Sequence, residues 1–384
     1  MGQVVANKFR LDVPQELLGL ANNAMAVVDA KVRKLVTTDP DFFPMFTENG
    51  KWRHGKEAWT NWCEGFLAGQ MWILSRHLDS AYWRKNAEHY SLHLEPRQFD
   101  TQVHDLGFTF WHTWRTWFLQ TQDPKFNEVV VQAGKTMGLR FNEKAGFLRS
   151  FLAEDSTFID IMMNVGIVFY AAISSGDDEL LAKAHTHCMQ TRRHLIRGDG
   201  SAAHEGIFDL KTGEFLRQTT QQGWRDDSSW ARGQTWALYG FGTCYALTGE
   251  EKYLETAIAC ADFYIERTQD GFVPPNDWEE KNPKQRYESS AGAIAATGML
   301  QLARLVSDEE LARKYSSYAF GILEKLCSSE FLSQKDDDWD GVLRHGSYHE
   351  TKDLGVDESV MWGEYFFTEA LDKVLGGDWL ATNR

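Results

Sequence analysis

Two kinds of segment alternate along this chain, and that alternation restricts the available folds more than any motif does. Five segments open on a short polar turn and continue as amphipathic helices: LDSAYWRKNAEHYSLHL from Leu78, TQDPKFNEVVVQAGKTM from Thr121, SGDDELLAKAHTHCMQTRRHLI from Ser175, TGEEKYLETAIACADFYIERT from Thr248 and VSDEELARKYSSYAFGILEKL from Val306. Acidic residues in the first turn complement the helix dipole, and Ser, Thr or Asp supplies a cap. Apolar residues at i, i+3 and i+4 face one side and charges the other. A sixth segment, 14–36, has this character without the turn signature. Between them lie segments 59–76, 105–121, 158–174, 229–247, 289–305 and 359–374, rich in Gly, Ala, Trp and Phe and poor in charge. Helices that are apolar around most of their circumference are buried on most sides. Strand signals are scarce.

Surface helix then buried helix, six times over, predicts an all-α fold, an (α/α)6 barrel of six inner helices ringed by six outer ones. The spacing between buried segments is too irregular for a solenoid of fixed repeat, so a single catalytic domain over residues 1–384 is expected. Connections from inner to outer helices are a few residues long. Those from outer to inner are long: 37–58, 96–104, 142–157, 197–228, 269–288 and 328–358. Every long loop therefore leads into the N-terminus of an inner helix, and long loops carry function. A mouth ringed by helix N-termini favours an anionic ligand, here a small acidic substrate.

Composition narrows the classes. Lys and Arg number 40 against 55 Asp and Glu, for a net charge of -15. A nucleic-acid binder depends on neutralising phosphates, so none is expected as a partner. The most apolar run, 158–173, contains Asp160 and Asn164 and is too short to span a bilayer. The first residues lack the apolar core of a signal peptide, and the five cysteines are odd in number with no CxxC spacing, which fits a reducing compartment and gives no zinc signature. A cytoplasmic protein without membrane association is the expectation, with oligomeric state undetermined. The 15 tryptophans admit two readings, a large aromatic core or rings for sugar stacking.

Two carboxylates stand out. Asp105, in HDLGF, lies in the first turn of the second inner helix, where capping is the plainer role. Asp160, in FIDIMMN, is flanked by Phe158, Ile159, Ile161 and Met162; a carboxylate in such a setting is costly unless paired or functional. Held at neighbouring inner-helix N-termini, the two have the layout for acid–base work on a glycosidic or enol-ether centre. The stretch 197–236 is the densest in polar groups, with His204, Thr220, Gln222 and Arg232 among tryptophans that include Trp236. A buried Arg232 wants a carboxylate, either of the substrate or of the protein. The segment RHGSYH adds Ser347 and His349. There is no HExxH and no GxSxG, and the spacing of His185 and His187 places them on opposite helix faces, so no metal site is expected from these residues.

Taken together, WTNWCEGFLAGQMW, HDLGFTF, FIDIMMN, HEGIFDLKTG, QQGWRDDSSWARGQTWALYGF, YESSAGAIAATGML, LRHGSYH and GVDESVMWGEYFFTEAL resemble the unsaturated glucuronyl hydrolases, glycoside hydrolase family 88. The stretches fall in family order over nearly the whole chain, and the family fold is the same (α/α)6 barrel. The resemblance implies removal of a 4,5-unsaturated uronic acid from the non-reducing end of lyase-generated oligosaccharides, without metal or cofactor. It implies that Asp160 protonates C4, that water adds at C5, and that Asp105 binds ring hydroxyls and assists. By the same resemblance His204, Thr220, Gln222, Arg232 and Trp236 line the uronate site, Trp62 stacks on the sugar, and Ser347 and His349 lie toward the carboxylate or the next sugar. The chain departs from the family pattern at Cys63-Glu64 and at Gln221-Gln222. The alternatives are an unsaturated rhamnogalacturonyl hydrolase on the same barrel, a sugar epimerase or isomerase, which would need paired histidines on inner helices, and a non-catalytic glycan binder, which would have no use for Asp160.

Overall fold

The computed structural model describes residues 9–55, 62–281 and 286–377. Trp59, the first residue of the first inner segment, lies outside them, as do both ends of the domain expected over 1–384.

Thirteen helices are present among the described residues: α1 Gln15–Thr38, α2 Glu64–His77, α3 Ser80–His93, α4 Leu106–Trp111, α5 Trp114–Thr121, α6 Pro124–Gly138, α7 Ile161–Ser175, α8 Asp178–His194, α9 Ala231–Thr248, α10 Glu251–Thr268, α11 Ser289–Leu305, α12 Glu309–Leu326 and α13 Met361–Val374. They form an (α/α)6 barrel. Helices α2, α4, α7, α9, α11 and α13 pack each against the next, and α13 closes onto α2. Helices α3, α6, α8, α10 and α12 back onto this ring, and α1 covers the seam between α13 and α2.

The two helix classes differ as their sequences require. In α11 nearly every residue is buried. In α12 the buried residues, among them Ala312, Tyr315, Ala319, Ile322, Leu323 and Leu326, recur at three- and four-residue intervals, the single stripe of a surface helix. The outer helices carry the expected caps: the side chains of Asp79, Asp123, Asp177, Glu250 and Asp308 each accept a hydrogen bond from a first-turn backbone N–H.

Two expectations change. The second inner helix is broken: Thr113 leaves the helical region at φ −112° and ψ −89°, separating α4 from α5. The third inner helix starts at Ile161, because Ser156–Phe158 is taken into an antiparallel three-stranded sheet with Glu205–Phe208 in the middle and Phe215–Thr219 beyond. The remaining strands form pairs in the long loops, including Gly346–His349 with Leu354–Glu358.

Two glycines set how closely the inner helices approach beneath the mouth. A Cβ on Gly107 would lie 2.5 Å from Asn164 Cα, and one on Gly240 would lie 2.5 Å from the Met162 backbone. No side chain fits at such distances, so α4 and α9 both press against the first turn of α7. Asn164 Oδ1 accepts from the Phe108 N–H at 2.7 Å and ties α4 to α7.

Candidate active site

Asp105 and Asp160 each occupy the residue immediately before an inner helix, and neither side chain caps it. The capping role open to Asp105 is thus not taken up; both carboxylates instead line one cleft at the N-terminal end of the ring. Ile159, Ile161 and Met162 are buried around Asp160, and its Oδ2 has no hydrogen-bond partner. Burial raises the Asp160 pKa to about 6, against the opposing pull of the Arg232 guanidinium. The Trp236 indole N–H acts in the same lowering direction without forming a full hydrogen bond. Asp105 is pushed further, to about 8, by burial and then by the charge of Asp160, with Arg140 and Arg97 opposing. Burial thus holds both carboxyls above the ordinary carboxylate range, each against the pull of nearby arginines.

Two neutral histidines face the pair. His204 Nδ1 accepts from the backbone N–H groups of Gln221 at 3.1 Å and Gln222 at 3.3 Å. Its single ring proton therefore sits on Nε2, which points at Asp160 Oδ2 from 3.6 Å. His104 repeats the arrangement: Nδ1 accepts from the Phe151 N–H at 2.9 Å, and Nε2 lies 3.5 Å from Asp105 Oδ1. Burial pushes His204 down to about 3 and His104 well below its ordinary value. Thr220 Oγ1 sits 3.2 Å from His204 Nδ1 and accepts from the Gly223 N–H, holding the loop that supplies Gln221 and Gln222.

Arg232, in the first turn of α9, is buried and borders the same cleft. Its Nη1 is 3.4 Å from Glu288 Oε2 and donates to the Ser347 carbonyl; Nη2 donates to the Tyr348 carbonyl at 2.8 Å and to Gln222 Oε1. The guanidinium also lies 4.4 Å from the Trp230 ring centroid and 5.0 Å from that of Trp362. Glu288 accepts in turn from the Ser347 N–H at 3.2 Å. The pairing of Arg232 with a protein carboxylate is thus present, and the same guanidinium fixes the strand Gly346–His349 and the amide of Gln222 at the cleft wall.

The cleft gathers Trp62, Asp105, Asp160, Gln222, Arg232 and His349 from the sequence-derived set. The other four stand behind them. His204 and Trp236 are buried under the two carboxylates, Thr220 braces His204, and Ser347 contributes its backbone to Arg232 and Glu288. His104, Phe151, Leu152, Gln221, Tyr348 and Lys352 also line the cleft and were not singled out from sequence. His104 and Tyr348 adjoin chosen residues; Phe151 and Leu152 carried no signal. The tryptophans resolve mostly toward the core, since Trp72, Trp83, Trp230, Trp236 and Trp362 are fully buried. Trp62 reaches the cleft, its Nε1 donating to the Tyr348 hydroxyl at 3.3 Å.

No family model matches the chain. It is similar to an unsaturated glucuronyl hydrolase from Bacillus sp. (strain GL1), 27% identical over 85% of this chain and 90% of that protein. A second unsaturated glucuronyl hydrolase, from Formosa agariphila, is 28% identical over 82% of this chain and 80% of that protein. The crystal structure of the Bacillus sp. GL1 enzyme, described as responsible for the degradation of glycosaminoglycan, superposes with a TM-score of 0.85 at 27% identity, covering 92% of this chain and 96% of the other. The chain is thus similar to unsaturated glucuronyl hydrolases over more than four-fifths of its length. The barrel superposes along nearly its whole length. A glycoside hydrolase of the unsaturated glucuronyl type accounts for two buried carboxylates at one mouth; a sugar epimerase or a glycan binder does not.

Proposed function

We propose that this chain hydrolyses lyase-generated oligosaccharides by removing the 4,5-unsaturated uronic acid at their non-reducing end. The observation that carries the reading is the pair of buried carboxylates of raised pKa sharing one cleft, together with relatives that bear the name of this activity. Below about pH 6 Asp160 holds a proton in apolar surroundings, beside an Asp105 that is already protonated. Asp160 gives that proton to C4 of the enol ether. Positive charge develops at C5 and the ring oxygen, and the carboxylate left on Asp160 faces it. Water adds at C5 and loses its proton to Asp160. The hemiketal then opens and the remaining sugar leaves. No step needs a metal or a cofactor.

In this reading Asp105, as a neutral acid, donates to a ring hydroxyl. The Nε2–H of His204 orients the Asp160 carboxylate, Thr220 and Trp236 hold that arrangement from behind, and Trp62 stacks on the sugar face. Arg232 and Gln222 present positive potential and an amide to the uronate, and Ser347 and His349 lie toward its carboxylate or the following sugar. The substrate is a small unsaturated oligosaccharide; nucleic acid and membrane play no part, and no helix among the described residues is long and apolar enough to cross a membrane. None of the five cysteines is in a disulfide, which supports a cytoplasmic setting. One continuous apolar core running from Leu17 to Val374 supports a single catalytic domain over 1–384.

The test compares unsaturated disaccharides with their saturated counterparts. Hydration needs the C4=C5 bond, so only the unsaturated members are cleaved. Equal cleavage of a saturated uronide points to ordinary attack at the anomeric carbon and ends the proposal.

A further inference from the structure

A second group of chemistry-bearing side chains lies outside the cleft. We propose that Asp41, His89 and His93 form a binding site for one borderline divalent transition-metal ion, with zinc as the reference case. The three ligand atoms all lie within 4.8 Å of one another. His89 Nε2 is 2.5 Å from Asp41 Oδ1, and His93 Nε2 is 3.9 Å from the same oxygen.

The orientation of His93 is what distinguishes this group from a chance ion pair. His89 and His93 are four residues apart on α3, so their rings share one helix face. The His93 Nδ1 lies 3.0 Å from the His89 carbonyl oxygen. A carbonyl only accepts, so Nδ1 carries the proton and Nε2 presents a lone pair toward Asp41. Histidine ligands of metals are commonly held this way, with the second ring N–H on a backbone carbonyl. Asp41 is equally constrained. Its backbone sits at φ 66°, an uncommon conformation for a residue with a side chain, and its N–H donates to the Tyr90 hydroxyl at 3.0 Å. The His93 ring packs edge-on against Phe43, and His89 against His93.

Tetrahedral zinc with ligand bonds of about 2.0–2.1 Å sets its ligand atoms about 3.4 Å apart. The Asp41–His89 pair is somewhat closer than this and the Asp41–His93 pair somewhat wider, so an ion needs only small rotations of three exposed side chains. Two imidazoles and one carboxylate suit zinc and its neighbours among the later divalent metals, and water completes the coordination. None of the three ligands borders the cleft. A bound ion would clip the segment after α1 to the C-terminal turn of α3, and a ligand that binds only the folded chain stabilises it.

The experiment uses the full chain without an affinity tag, stripped with chelator and titrated with zinc chloride by calorimetry. Cobalt(II) absorption gives a second readout. One zinc per chain is expected, with a rise in melting temperature and, with cobalt, a visible band of a four-coordinate site. His93→Ala and Asp41→Asn are each expected to weaken binding by about tenfold or more, at least the cost of losing an outer partner. His345→Ala, which removes a histidine whose Nδ1 lies 2.6 Å from Asp357 Oδ1, leaves the affinity unchanged. Absence of saturable zinc binding, or binding that survives both His93→Ala and Asp41→Asn, overturns the proposal.

Discussion

Replacing Asp160 with asparagine should make the protein more stable, and only at higher pH. An aspartate in the unfolded chain ionises near pH 4, whereas burial keeps Asp160 protonated in the folded chain up to about pH 6. A group whose folded pKa is raised favours the folded state while protonated and loses that contribution as pH rises through the folded value. The span is about two pH units at about 1.4 kcal/mol each, so the charge on Asp160 costs the native state on the order of 3 kcal/mol above pH 6. Asparagine keeps the size and carries no charge. It also lifts the electrostatic load that Asp160 places on Asp105, which acts in the same direction. Urea unfolding of wild type and Asp160→Asn at pH 4.5 and pH 8 reads the effect. The two proteins should differ little at the lower pH, and the variant should gain on the order of 3 kcal/mol at the higher one. A gap independent of pH, or a variant less stable at pH 8, would refute the claim that Asp160 is held in a medium that penalises its charge.

Three further outcomes are expected. Turnover should fall as pH rises through about 6, where Asp160 loses its proton; initial rates that stay flat from pH 5 to pH 8 would remove Asp160 as the acid. Arg232→Ala leaves Glu288 buried without its cation and frees the Ser347–Tyr348 backbone. It should cost about 3–5 kcal/mol of stability and weaken uronide binding by a further charge-assisted contact, about 1.5–3 kcal/mol; denaturation and KM at wild-type values would leave Arg232 without either role. Gly107→Ala places a Cβ against the Asn164 backbone, where overpacking costs about 1–3 kcal/mol. It should also lower kcat by moving α4 off α7, and a thermal melt with kinetics at wild-type values would show that the close approach of these helices is not needed.

The parts of this molecule that depend on local pattern were legible in its sequence. The helix Ser289–Leu305 has the predicted ends, because Glu288 caps it and the apolar run stops at Val306. The outer helices announce themselves through Asp177 and Asp308 caps and single apolar stripes. Asp160 was readable because a lone acid among Phe, Ile and Met is conspicuous. What escaped depends on contacts distant along the chain. The break at Thr113 falls within a run whose helical periodicity is uninterrupted. The tautomer of His104 is set by the backbone of Phe151, and that of His204 by Gln221 and Gln222. The cation that opposes the raised pKa of Asp160 is Arg232, and the partners of Arg232 come from Gln222, Glu288 and the Ser347–Tyr348 backbone.

In the proposed reaction Asp160 delivers the proton that breaks the C4=C5 bond. The most direct measurement follows the ultraviolet absorbance of that bond in an unsaturated disaccharide, with wild type and Asp160→Asn side by side at mildly acidic pH. The wild type should remove the absorbance and release the neighbouring sugar in step, and Asp160→Asn, still folded, should be slower by about 10²–10⁴-fold, the usual worth of a positioned acid–base group. Wild-type turnover by Asp160→Asn would place the acid elsewhere and contradict the account.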